Sequence, residues 1–98
     1  MEIDALPIEL QSEINIAKQI ILEAGAKEIY IFGSIAGGSY SDDSDLDIAT
    51  IGLDRSKFFQ VYGELLSKLN RDFDLIGLDY RTDFSEQLKI TGTLVRVA

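Results

Sequence analysis

The sequence contains neither cysteine nor histidine. Without cysteine there can be no disulfide and no thiolate metal site, and a cytoplasmic location is the default expectation. Without histidine, imidazole acid–base catalysis and imidazole metal ligation are both excluded.

Long apolar runs are also missing. The longest, at 20–22 and 29–32, are far too short to cross a bilayer, so we expect no membrane association. The first residues, M-E-I-D-A-L, lack the features of a signal peptide. With 98 residues, 46% apolar and 27% charged, the chain is expected to form one globular domain over 1–98.

Basic residues are scarce, nine against seventeen acidic ones, and the formal charge is -8. The basic residues are scattered singly along the chain, whereas a protein that grips nucleic acid presents a basic face to phosphate. Autonomous nucleic-acid binding is therefore not expected. An acidic surface instead favours a basic protein partner or divalent cations.

The hydrophobic periodicity predicts an α+β protein. Pro7 suits the first turn of a helix, and Gly25 suits its end. The predicted elements are a helix at 7–24, strands at 28–33 and 45–51, a helix at 55–69, a strand at 72–78, a short helix at 83–91 and an edge strand at 94–97. We expect a small mixed β-sheet of about four strands with helices packed on one side.

The second long helix has a predicted cap and a predicted apolar face. Asp54 is placed to cap its first turn. Three aromatic residues at helical spacing, Phe58, Phe59 and Tyr62, are expected to lie in the core.

Four aspartates crowd into six positions, Asp42, Asp43, Asp45 and Asp47. One interpretation is a hydrated loop, because aspartate and serine favour turns. A calcium loop of the EF-hand type is rejected, because the position that needs glycine is Ile48. Asp42 and Asp43, like Asp54 and Asp79, are best interpreted as loop or capping residues.

A third interpretation is a metal site. In a strand, residues two apart point to the same face, so Asp45 and Asp47 project together, about 6–7 Å apart at the backbone. Magnesium prefers few protein carboxylates together with phosphate oxygens. Upstream, Gly33 and Ser34 precede a turn of small residues in which backbone N–H groups can approach a phosphate.

The run from Gly33-Ser34 through ten residues to Asp45-Leu46-Asp47 resembles the signature of the nucleotidyltransferase superfamily that includes DNA polymerase beta. It is most similar to the minimal nucleotidyltransferase (MNT) branch, with G-S-x-A-x-G, then S-D-x-D, then a third aspartate on a later strand. Here the third aspartate is Asp74 in R-D-F-D-L-I-G-L-D, and Asp72 is a weaker candidate.

The resemblance implies roles for these residues. Asp45, Asp47 and Asp74 would be catalytic and would hold two Mg²⁺ ions. Gly33, Ser34 and Ser44 would bind the nucleotide triphosphate, expected to be ATP. Many relatives carry arginine in the turn, where this chain has Ile35 and Gly37.

The resemblance also implies a partner. MNT proteins are often paired with a helical HEPN protein in toxin–antitoxin modules, and some transfer AMP from ATP onto a tyrosine of the toxin. The expected function is therefore magnesium-dependent transfer of a nucleoside monophosphate onto a hydroxyl of a partner protein. The alternatives are a non-catalytic antitoxin that masks its partner, and nucleotidylation of a small molecule.

Overall fold

The structure is a computed structural model that describes residues 2–98, apart from the side chain of Thr91. Its helices are α1 (Ile8–Glu23), α2 (Gly33–Gly37), α3 (Arg55–Lys68) and α4 (Asp83–Thr91). Its strands are β1 (Glu28–Phe32), β2 (Leu46–Ile51), β3 (Phe73–Gly77) and β4 (Val95–Arg96). Short 3-10 helices lie at Ile3–Ala5 and Leu78–Tyr80.

The four strands form one mixed sheet in the order β3-β2-β1-β4. β1 is antiparallel to both β2 and β4, and β2 is parallel to β3. The connection between the parallel strands runs through α3, as a parallel pair requires a long crossover. The α+β fold and the mixed four-stranded sheet confirm the prediction, and β4 is the edge strand that the sequence indicated.

The main core lies between one face of the sheet and the two long helices. Successive residues of a strand point to opposite faces, so Ile29 and Ile31 face α1 and α3. α1 contributes Leu10, Ile14, Ala17 and Ile21, and α3 contributes Val61 and Leu65. Burial of these apolar side chains is the main force that holds the layers together.

A smaller cluster covers the other face of the sheet. It consists of Phe32, Ala49 and Leu78, against which Leu88 of α4 packs. The two long helices thus lie on one side, as predicted, whereas α4 covers apolar residues on the opposite side. Phe84 of α4 contacts the ring of Phe32, with ring centroids 6.1 Å apart.

The start of α3 and its cap are as predicted, but one of its three aromatic residues is not in the core. The side chain of Asp54 accepts a hydrogen bond from the backbone N–H of Ser56, as expected of a cap. Phe59, predicted to be in the core, is 83% exposed. The prediction was wrong because adjacent residues of a helix differ by about 100° in direction, and Phe58 takes the inward position.

Among the helices of residues 2–98, none combines the length and the apolar character needed to span a membrane.

Candidate functional site

The pairing of β2 with β3 brings two of the predicted carboxylates together. In the parallel register Asp47 lies opposite Asp74, and in the antiparallel register with β1 it lies opposite Phe32. Residues paired in this way share one face of a sheet. Asp45 lies one residue before β2 and two residues from Asp47, at the same end of the sheet.

The three carboxylates interact electrostatically. The pKa of Asp47 is raised from 3.8 to about 6, first by burial, then by the charges of Asp74 and Asp45 and by a hydrogen bond with Asp74. Asp47 is half-buried, whereas Asp45 and Asp74 are exposed. The site therefore concentrates negative charge that a proton or a cation would relieve.

Gly33 lies directly against Asp47. A β-carbon at Gly33 would overlap the Asp47 Oδ2 atom and lie 3.0 Å from its Cγ. The backbone of Gly33 also has φ +74°, a conformation that other residues rarely adopt. The sequence predicts that this glycine lets a phosphate approach the backbone, and its position shows that it also makes room for the Asp47 carboxylate.

The segment that begins at Gly33 is a short helix and not the predicted turn of small residues. α2 spans five residues and ends at Gly38, whose φ of +81° stops it. Ile35, at one of the positions where relatives carry arginine, is completely buried in the main core. The N–H groups of Gly33 and Ser34 lie in the first turn of this helix, where N–H groups have no intrahelical partner.

Ser44 shapes the loop before β2. Its Oγ accepts a hydrogen bond from the Ser41 backbone N–H at 2.8 Å. Its carbonyl oxygen accepts one from the Arg71 Nη1 at 2.9 Å. These contacts give Ser44 a structural role in addition to the predicted contact with nucleotide.

Arg71 is a residue that sequence reasoning missed. It is partly buried, and it ties the loop that carries Asp45 to the strand that carries Asp74. Its Nε atom is buried and makes no hydrogen bond within residues 2–98. The only signal in the sequence was its place directly before the D-F-D run, which does not reveal a partner 27 residues away.

Glu13 of α1 holds the same region in place through a hydrogen bond. It is a buried acid, 6% exposed, in the middle of α1. Its Oε1 accepts a hydrogen bond from the Asn70 backbone N–H at 2.7 Å, 57 residues along the chain. This bond fixes the segment that leads into β3 against α1.

An acidic cleft of about 800 Å³ opens beside these residues. Asp42 and Asp43, predicted to be loop residues, are exposed in the loop and also line this cleft. Arg71 is the one basic residue in its described wall. The remaining lining residues are Asp45, Tyr62, Leu66, Leu69, Asn70, Asp72, Phe73 and Asp74.

The donor set suits a hard cation such as Mg²⁺, because all the candidate ligands are carboxylate oxygens. Asp47 and Asp74 are in contact, and repulsion between them is one cause of the raised pKa of Asp47. No group of three or more such side chains within residues 2–98 is close enough to form a metal site by itself. The residues therefore fit an ion held by a carboxylate pair together with substrate oxygens.

The chain resembles known proteins in sequence and in structure. The family model "Polymerase beta, Nucleotidyltransferase" matches residues 14–96. A crystal structure of a toxin–antitoxin with AMP-PNP is similar with a TM-score of 0.63 and 27% identity, covering 82% of this chain and 69% of the other. A mutant of the toxin–antitoxin MntA-HpeT gives a TM-score of 0.65 and 25% identity, covering 86% of this chain and 70% of the other.

None of the curated proteins compared with the chain matches it at a significant level. The family model nevertheless covers most of the chain, including β1, α2, β2 and β3. The Gly-Ser and Asp-x-Asp motifs lie within the matched region. The chain therefore belongs to the polymerase beta nucleotidyltransferase family.

Proposed function

We propose that the protein is a magnesium-dependent nucleotidyltransferase that transfers AMP from ATP to a hydroxyl group of a partner protein. The observation that carries the proposal is the contact of Asp47 with Asp74 on neighbouring strands, with Asp45 close enough to raise the pKa of Asp47. Membership of the family supports the reaction class, and the contact supplies a site for it.

In this proposal the pair Asp47 and Asp74 would hold Mg²⁺ together with oxygens of the triphosphate, and Asp45 would join them to complete the expected two-ion site when nucleotide is bound. When bound, the ions neutralise charge on the triphosphate and on the leaving pyrophosphate. Asp47 is half-buried opposite the exposed Asp74, and the exposed Asp45 lies two residues before it along the chain. Gly33 leaves the space that the Asp47 carboxylate needs.

The transfer forms one bond and breaks another. The acceptor oxygen bonds to the α-phosphorus of ATP, and the bond from that phosphorus to the pyrophosphate oxygen breaks, with pyrophosphate taking the electron pair. Asp74, exposed beside the acidic cleft, accepts the proton of the acceptor hydroxyl.

Gly33, Ser34 and Ser44 are the proposed nucleotide contacts. The N–H groups of Gly33 and Ser34 at the start of α2 donate to the β- and γ-phosphates. The Ser44 Oγ already accepts a hydrogen bond from Ser41, which leaves its own proton free to donate to a phosphate oxygen.

The proposed partner is a helical HEPN-type toxin, and the chain is its antitoxin. Support comes from similarity to toxin–antitoxin structures, one of which contains AMP-PNP. Another is a mutant in which two aspartates, two positions apart, are changed to glutamate, the same spacing as Asp45 and Asp47. The charge of -8 suits a basic partner.

The test is to incubate the chain with labelled ATP, Mg²⁺ and a HEPN-type protein encoded beside it. We expect label on the partner with the wild-type chain and none with an Asp45→Ala/Asp47→Ala variant. An unlabelled partner, neutralised equally well by the wild type and the variant, would contradict the proposal.

The second candidate is a non-catalytic antitoxin that masks its partner. The absence of arginine from α2 favours it: with Ile35 and Gly37 in the turn, the short helix offers no cation to the triphosphate. Titration calorimetry with ATP and Mg²⁺ separates the candidates, since a masking protein has no need to bind nucleotide. Binding that disappears in Asp47→Asn supports the enzyme, and absence of binding supports masking.

A further inference from the structure

One side of α3 is apolar and exposed. Phe59 is 83% exposed and Leu66 is 62% exposed, and the exposed Gly63 lies between them. Their spacing of four and three residues places all three on the same side of the helix. We refer to Phe59, Gly63 and Leu66 as the α3 stripe.

Gly63 has no explanation within the fold. A β-carbon at this position would meet nothing within 4 Å, and its backbone is helical. Glycine inside a helix is less stable than alanine, so a position open to alanine gains nothing locally from glycine. Its advantage is that another backbone can approach closely.

The α3 stripe joins two depressions on one side of the molecule. Leu66 lines the acidic cleft. Phe59 lines a mainly apolar cavity of about 350 Å³ together with Phe58, Ile76, Tyr80 and Phe84. Because β3 is an edge strand, α3 and β3 together form an open surface that runs from the apolar cavity to the candidate catalytic carboxylates.

We propose that the α3 stripe is the docking surface for a helix of a partner protein. That helix carries apolar side chains toward Phe59 and Leu66, packs closely at Gly63, and has basic side chains at the end that meets the acidic cleft. The inference rests on the proposed function in one respect only, that the docked partner is the one that presents the acceptor hydroxyl.

Charge decides between a partner protein and a second copy of this chain. Each copy carries -8, and the acidic cleft at one end of the stripe is lined by five aspartates against Arg71. A second copy would bring like charge to this end, whereas a basic helix would neutralise it. The apolar stripe next to an acidic end therefore selects a basic amphipathic helix.

The probe is a synthetic amphipathic helix of about 18 residues, with leucines along one face and lysines at one end. Binding is measured by fluorescence anisotropy and mapped by amide chemical shifts. We expect shifts on α3 and β3, and we expect Phe59→Ser to weaken binding about tenfold. Ile90→Ser is the matched control, because Ile90 is 82% exposed on α4, away from the stripe.

Gly63→Ala provides an independent test that does not depend on a destabilised variant. We expect its melting temperature to rise by about 3–6 °C, because alanine favours the helix. We expect the same change to weaken peptide binding about tenfold, because the added methyl group prevents close approach. A gain in stability with unchanged peptide binding would overturn the proposal.

Three other results would also overturn it. These are shifts confined to other elements, equal binding of a peptide in which glutamate replaces every lysine, and self-association of the chain that Phe59→Ser abolishes. Calorimetry with Mg²⁺ and ATP on the same variants keeps the two proposals separate. Normal nucleotide binding with no peptide binding rejects the docking surface alone, and the reverse rejects the enzymatic site alone.

Discussion

At the scale of single residues, the site depends on the space that Gly33 leaves beside Asp47. The carboxylate occupies the volume that a side chain at Gly33 would need. The same glycine has a positive φ that starts α2 directly after β1. One residue thus sets both the turn into α2 and the position of the central carboxylate.

We expect Gly33→Ala to lower the free energy of unfolding by about 1–3 kcal/mol, because it adds backbone strain and overlap with Asp47. Binding of Mg²⁺ and ATP should fall with it, since Asp47 must move. Denaturation by urea and titration calorimetry measure the two effects. Gly37→Ala is the control, since a β-carbon there meets nothing within 4 Å, and a loss of equal size in both variants would reject the explanation.

Asp47 makes stability depend on pH in the direction opposite to that of a salt-bridged aspartate. Its pKa is 3.8 in the unfolded chain and about 6 in the fold, so between these values the folded state binds more protons. The stabilisation of the fold that comes from protonated Asp47 is therefore complete below pH 3.8, and it is lost as the pH rises through about 6.

The Asp47→Asn variant has no carboxyl group at this position to ionise, so it should not lose this stability as the pH rises. Without metal, we expect the variant to be more stable than the wild type by about 1 kcal/mol above pH 6, after allowance for solvent screening. Below pH 3.8 the advantage should disappear. Urea denaturation at several pH values measures it, with the exposed Asp43→Asn as control. If Asp47→Asn is more stable than the wild type by the same amount at every pH, ionisation of Asp47 is not the cause.

At the scale of elements, the sequence predicted the features that depend on local pattern. Strand alternation predicted that Asp45 and Asp47 project together, and the family resemblance pointed to Asp74 as the third carboxylate. Asp74 lies opposite Asp47, whereas Asp45 lies one residue ahead of β2, and the roles of all three stay a prediction. The bond from Asn70 to Glu13 and the bond from Arg71 to Ser44 were not predicted, because each joins residues far apart along the chain. The exposure of Phe59 was missed because periodicity alone does not fix the angle at which α3 packs.

The bond between Glu13 and Asn70 is expected to hold the entrance to β3. Glu13→Ala should lower the free energy of unfolding by about 1–3 kcal/mol, since it leaves the Asn70 N–H without its acceptor. Glu13→Gln keeps an acceptor oxygen and should lose less. Denaturation curves compare the two, and equal losses would show that the hydrogen bond is not the cause.

At the scale of the whole molecule, the charge of -8 makes cations stabilising in two ways. Any salt screens the general repulsion, whereas Mg²⁺ also binds at the proposed site. At equal ionic strength we expect MgCl₂ to raise the melting temperature of the wild type more than NaCl does. Removal of Mg²⁺ with a chelator should abolish this additional rise in melting temperature.

The excess stabilisation by Mg²⁺ should be absent in Asp47→Asn and retained in Asp43→Asn, which removes the same charge from the exposed loop. Thermal melts followed by circular dichroism are sufficient for this comparison. If both variants keep the full excess, Mg²⁺ acts only through screening.

The register in which β2 pairs with β3 has a consequence for where the chain can change in length. Asp74 faces Asp47, whereas its neighbours Phe73 and Leu75 face the main core. A strand alternates with a period of two, so a one-residue insertion or deletion inside β3 would exchange the two sets, which would bury the carboxylate and expose the core. A change of length in the loops on either side of α3 leaves the pairing of β3 as it is. The chain can therefore vary in length in these loops but not within β3.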